Sequence, residues 1–387
     1  MTTQEIQFRV QADQLTALGA RFAHGASLLS PLKAVPGAGT VSPVVVEGVT
    51  DAAGVLAAHL VPTFQSLAGT TASAKLSLHT GDSVFQSLIC FAADGAKAVA
   101  LINTPEGIAI RHPAPCGEIL SDLGDYLGGS GHVRATFTVT LPAKEALAFA
   151  GLLDLHRRAV FRALADGVPV PSAGHTPEAI LGAARQSPDS FQWFASVVRS
   201  LLPANRMEDH DLSPALAGLA AKGLVLQAPD GFLLSPAAKD VAHHFLWNDL
   251  LLTVSAAHQS GDMVVAAEMC FLQSGVRDIL CLQANNDELF LTALAAQTVL
   301  EQVGRILTDP EVLPVPPASV TATPPTADSG AARGSCVQCG KPLQGGDVFC
   351  GSCGAPVRTA SGSFCRNCGK AVEPGQKFCQ ACGTPVN

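Results

Sequence analysis

Eight cysteines close the chain in two sets of four that share one spacing. Cys336, Cys339, Cys350 and Cys353 follow the pattern C-x2-C, ten residues, C-x2-C, and Cys365, Cys368, Cys379 and Cys382 repeat it 29 residues later. A C-x2-C pair lets a tight turn aim two thiolates at one point, and a short hairpin carries the second pair to the same point. Four thiolates at about 2.3 Å in a tetrahedron are the donor set of structural zinc. An all-thiolate set leaves no coordination position open to activate water, so the metal expected here is structural. The expectation is Zn²⁺, two per chain. A disulfide framework fits poorly, because no signal peptide precedes the motif and the other cysteines are scattered. A redox C-x-x-C pair or an iron–sulfur site is the remaining alternative.

The residues around the ligands agree with that reading. A glycine (Gly340, Gly354, Gly369, Gly383) follows the second cysteine of each pair, where backbone amides turn toward sulfur. Pro342, Pro356 and Pro385 stiffen three of the four exits, with Ala371 at the fourth, and Phe349 and Phe378 precede the third ligand of each set. In tandem the pattern resembles the double zinc ribbon family over residues 334–387. The resemblance implies two small modules, 335–357 and 363–387, each folded around one zinc ion.

No catalytic constellation stands out. The chain has no Walker-A pattern, no H-E-x-x-H and no G-x-S-x-G elbow. The Val35–Val41 stretch VPGAGTV lacks the third glycine of a dinucleotide loop, and the Leu127–His132 stretch LGGSGH reads as a hinge. Cys116 falls where a helix begins, a position that can lower a thiol pKa. Cys90, Cys116, Cys270 and Cys281 nevertheless read as small core residues. Neighbours on a helix point about 100° apart, so His243 and His244 read as one buried and one exposed imidazole rather than as ligands of one ion. With no apolar-flanked carboxylate pair to tune as an acid, the expectation is a non-enzymatic protein.

Charge narrows the partners. Residues 331–387 carry six basic and two acidic side chains, so a tail of +4 leaves −12 on residues 1–330 of the formal −8. A zinc ion held by four thiolates is a −2 unit, so two loaded sites bring the tail close to neutral. Neither part has the positive face that phosphate binding uses. No run of about 18 apolar residues is present and the N-terminus lacks an apolar h-region, so no membrane span is expected. Thiolates kept for metal suit a reducing cytoplasm.

The ligands sit at the end of an α+β chain. Residues 308–334 hold six prolines and read as a flexible, partly polyproline linker. The body before it reads as a duplication, with copies at 1–130 and 131–307. Each opens with a strand and a helix, Phe8 and Val10 answering Phe137 and Val139, and each closes with four strands and a helix. Turn signals at Gly81-Asp82, Asp94-Gly95, Gly261-Asp262 and Asn285-Asn286 fall in matching places. Within the second copy, residues 211–245 read as a helix, a hairpin turning at Asp230-Gly231 and a second helix. Asp211 or Ser213 is the expected cap, and Leu212, Leu216, Leu219 and Leu224 form the apolar face. This segment resembles a winged helix, and residues 44–68 carry a reduced version. Its candidate reading helix offers only Lys222, with Lys239, His243 and His244 nearby, which is too few cations for a DNA reader.

The opening around Phe8–Leu18, the twofold pattern and the closing helix resemble the EspG-type chaperones of mycobacterial type VII secretion. These are duplicated α/β proteins that bind the tip of helical substrate pairs, and a zinc-ribbon tail is foreign to them. The resemblance implies protein partners. The expected function is a zinc-binding interaction adaptor or chaperone-like protein whose ribbons dock a partner. The alternative is a nucleic-acid-associated regulator that uses the winged helix or the ribbons.

Overall fold

Long runs of alternating apolar and polar residues make the strands of the body, and hairpin turns pair them in chain order. The structure is a computed structural model describing residues 5–23, 25–32, 44–81, 83–93, 97–128, 137–275, 278–285, 287–309, 311–313, 363–364 and 371–372. The chain divides into two compact units, Met1–Ser319 and Val320–Asn387.

The first copy contributes β1 (Ile6–Val10), α1 (Ala12–Gly19), α2 (Val61–Ala68), β2 (Thr70–Thr80), β3 (Ser83–Ala92), β4 (Val99–Thr104), β5 (Gly107–His112) and α3 (Cys116–Leu127). The second begins with β6 (Thr138–Pro142) and the 24-residue α4 (Ala143–Asp166). There follow α5 (Pro177–Gln186), α6 (Phe194–Leu201), α7 (Asp209–Ala221), β7 (Val225–Ala228), β8 (Gly231–Leu234) and α8 (Pro236–His244). It closes with β9 (Leu250–Ser260), β10 (Met263–Ser274), β11 (Asp278–Asn285), β12 (Glu288–Leu294) and α9 (Ala296–Thr308). The mixture is α+β. Thr176 and Ser235 sit at the N-caps of α5 and α8, each with proline in the first turn, a pairing that starts helices reliably.

One antiparallel sheet of ten strands runs through both copies in the order β1-β5-β4-β3-β2-β9-β10-β11-β12-β6. The order reads the same from either edge once equivalent strands are matched, and the copies meet where β2 pairs with β9 across Lys75↔Ser255. The twofold pattern expected from the sequence is therefore present in the topology.

The register of the repeat differs from the expectation. Phe8 faces Ile110, three residues past Gly107, which closes the β4–β5 hairpin opposite Thr104. Val139 faces Leu291, three residues past Glu288, which closes the β11–β12 hairpin opposite Asn285. The helices also start two residues after Val10 and two after Leu141. Phe8 thus corresponds to Val139 and Val10 to Leu141, a slip of two residues from the sequence alignment. A slip of two leaves every side chain on its original face, so apolar alternation cannot detect it.

Both faces of the sheet are covered. Leu76, Leu78, Leu252, Val254, Phe271 and Ile279 are buried in one cluster with Ile119 and Leu123 of α3 and Val299 and Val303 of α9. On the other face, Leu272, Leu280, Leu282, Leu289 and Leu291 pack with the α4–α8 bundle. Over the first copy, Cys90, Val99 and Ile110 pack with Leu15, Leu18, Phe64 and Leu67 of α1 and α2. Val312 and Leu313, at the start of the proline-rich segment, pack against the α3–α9 cluster.

Gly151 sets the crossing of α4 and α5. A Cβ there would stand 2.9 Å from the backbone of both Ile180 and Ala184, closer than real Cβ contacts come. Gly151→Ala is expected to push the helices apart and cost about 1–3 kcal/mol, the range for overpacking a filled core. Urea denaturation of the full chain followed by circular dichroism checks this. A midpoint equal to that of the parent would rule out the close approach.

Candidate functional site

The cysteines of the body are core residues. Cys90, Cys270 and Cys281 are buried, and burial pushes each thiol up to about 12. Cys116 is the first residue of α3, where a helix terminus favours thiolate. Partial burial outweighs that effect and raises its pKa. Among the described residues no group of three or more His, Cys, Asp or Glu converges on a metal position. His243 is exposed and His244 half-buried. The ring that meets His243 belongs to His156 of α4, with Nε2 atoms 3.2 Å apart.

The 211–245 segment forms helix, hairpin and helix, with Leu212, Leu216, Leu219 and Leu224 buried as expected. Its start lies earlier than expected. Glu208 is the N-cap of α7 and Asp211 sits at the third helical position, each side chain accepting a backbone N–H in a capping box. The Asp211 carboxylate also pairs with Lys144 of α4 at 2.8 Å, so it serves the α4–α7 contact and not the cap alone. Lys222 pairs with Glu145 of α4 at 2.8 Å. A Cβ at Gly218 would collide with that same Glu145 carboxylate, so α7 lies close on α4 there.

The tip of the hairpin is engaged too. Asp230 accepts the Gly174 N–H at 3.1 Å, and the His175 backbone exchanges two hydrogen bonds with Phe232, at 2.8 and 2.9 Å. Gly231 turns the strand with φ of +141° directly beneath the His175 carbonyl, where no other side chain would fit. In the first copy the counterpart of this hairpin shrinks to one antiparallel bridge, Thr50↔Leu56, ahead of α2.

In the second unit the described backbone is a short hairpin, β13 (Ser363–Phe364) and β14 (Ala371–Val372), paired Ser363↔Val372 and Phe364↔Ala371. Its strands bracket Cys365 and Cys368 in sequence. The expected ligands Cys336, Cys339, Cys350, Cys353, Cys365, Cys368, Cys379 and Cys382 lie outside the described residues. Residues 336–383 match the family model of the double zinc ribbon.

The eight thiolates and the bracketing hairpin fit zinc, and the double zinc ribbon is a zinc-binding family. One solved structure similar to the chain is the Mycobacterium tuberculosis type VII secretion system chaperone EspG5 in complex with a PE25–PPE41 dimer. Identity is 12%, over 81% of this chain and 98% of that chain, with a TM-score of 0.40. No curated protein matches the chain.

Two clusters in the helical bundle were not legible as sites in the sequence. His156 and His243 lie 87 positions apart and only the packing of α4 on α8 joins them. Asp154 and Arg157, both fully buried on α4, form an ion pair at 3.0 Å. Asp154 accepts the Phe194 and Ala195 N–H groups at 3.0 and 2.9 Å, which caps α6 from another helix. Arg157 donates to the carbonyls of Leu246, at 2.6 Å, and Gln192, at 2.5 Å. The only signal in the sequence was an i,i+3 acid–base pair inside an otherwise apolar helix face.

Proposed function

We propose that the protein is a non-enzymatic, zinc-binding adaptor or chaperone-like protein whose two ribbons dock a protein partner in the cytoplasm. The observation that carries this reading is the double set of four cysteines, which fills the coordination sphere of two zinc ions and leaves neither open for catalysis. Small modules of this kind present loops and short strands held rigid by the metal, which suits them to recognition. No helix among the described residues is long and apolar enough to cross a membrane.

Several features favour protein over nucleic acid as the partner. Lys222, the cation on the candidate reading helix, is neutralised by Glu145. The hairpin tip carries Asp230 and is held by residues 174–175. Residues 1–330 carry −12. Sequence-independent affinity for DNA comes from phosphate neutralisation, and these groups supply little of it.

The test is a titration of the zinc-loaded full chain with random duplex DNA and with single-stranded RNA at about 150 mM salt, where phosphate contacts are still measurable. Binding is expected to be weak and indifferent to sequence. Cross-linking in native extract should capture a protein partner that persists after nuclease treatment and is lost in Cys368→Ser. Sub-micromolar nucleic-acid binding that falls steeply with salt, abolished by Arg366→Glu, would replace the adaptor with a regulator.

A further inference from the structure

The bundle holds a second cluster of metal-ligating side chains, remote in sequence from the ribbons. His156 projects from the middle of α4 and is 9% exposed, so packing fixes its ring. His243 projects from the last turn of α8 and is exposed. Their Nε2 atoms stand 3.2 Å apart, with ring centroids 5.2 Å apart and planes inclined at 37°. Two imidazole nitrogens bound to one tetrahedral ion at 2.0–2.1 Å are separated by about 3.3 Å. We propose that His156 and His243 form a metal site for a divalent d-block cation of the zinc class, with solvent completing the coordination.

Two further observations bear on it. The last turn of α8 carries the partial negative charge of the helix carbonyl end, which favours a cation beside His243. Lys239, one turn earlier on α8, opposes it. With two protein ligands, no carboxylate in the set and that lysine nearby, the site should bind far more weakly than a four-thiolate ribbon and exchange its ion freely. The exposed side of His243 leaves positions for water or for a ligand side chain from a partner.

The test uses the full chain, loaded with zinc and dialysed to constant metal content. Equilibrium dialysis against added Zn²⁺ should then reveal one further equivalent per chain, half-saturated at about 1–50 µM, as befits two imidazole ligands. In protein labelled with ¹⁵N-histidine, the Nε2 signals of His156 and His243 should shift together as that equivalent binds. His243→Asn, at an exposed position, should fold normally and weaken the further equivalent at least tenfold. The absence of a saturable further equivalent below about 100 µM, or its persistence unchanged in His243→Asn, would overturn the proposal and leave the two rings joined by an N–H···N hydrogen bond alone.

Discussion

Cys368→Ser is expected to take the zinc content of the full chain from two ions to one, to unfold the second ribbon and to leave the first ribbon and the body unchanged. The reason lies in the size of the modules. Residues 363–387 contain two phenylalanines, Phe364 and Phe378, each directly before a cysteine pair, and little else that is large and apolar, so burial cannot hold them folded. A zinc ion held by the four thiolates would do that work, with a binding free energy of roughly 10–16 kcal/mol that is also the folding free energy of such a module. Removing one thiolate leaves three donors and opens the site. With four cysteines in each set the loss should not spread, and Cys339→Ser should give the mirror-image result. Elemental analysis counts the ions, and amide exchange by mass spectrometry locates the unfolded segment. Loss of both zinc ions from one substitution, or a chain that carries iron, would refute two independent four-cysteine sites.

Arg157→Leu is expected to lower the stability of the body by about 3–5 kcal/mol, because breaking a buried pair leaves an uncompensated charge behind. Leucine fills much of the space but cannot make the four hydrogen bonds that Arg157 donates to three groups. Asp154 keeps the two N–H groups of α6 and loses its counter-ion. The carbonyls of Leu246 and Gln192 lose their donor in the same step. The network joins α4, the start of α6 and the chain leaving α8, so its loss should loosen the whole helical bundle rather than one contact. Chemical denaturation of the full chain reads the stability, and zinc content, which should remain unchanged, separates this effect from any on the ribbons. A loss below about 1 kcal/mol would mean that the guanidinium finds water in the folded protein.

The 211–245 segment separates what local sequence can and cannot say. Its helix, hairpin and second helix were legible because helical spacing of leucines and an Asp-Gly turn act within a few residues of themselves. The cap of α7 was misplaced by three residues. Asp211 has the right chemistry for a cap, but Lys144, 67 positions earlier, draws its carboxylate into the α4–α7 contact. Likewise the single lysine of the helix was visible, whereas its neutralisation by Glu145 required the packing of α7 on α4.

The sequence by itself determined the double zinc-ribbon pattern, the α+β class and the opening strand and helix and closing four strands and helix of each copy. These depend on spacings of two to ten residues, over which turn geometry and side-chain periodicity act directly. Only the tertiary structure decided that the copies share one sheet through β2 and β9, and that the repeat aligns Phe8 with Val139. It alone decided that His156 meets His243, and that Asp154 caps a helix forty positions away. A strand repeats its faces every two residues and a helix every three or four, so a pattern fixes which side of an element is apolar. Which particular residue lies opposite on another element is set by the register in which the two pack.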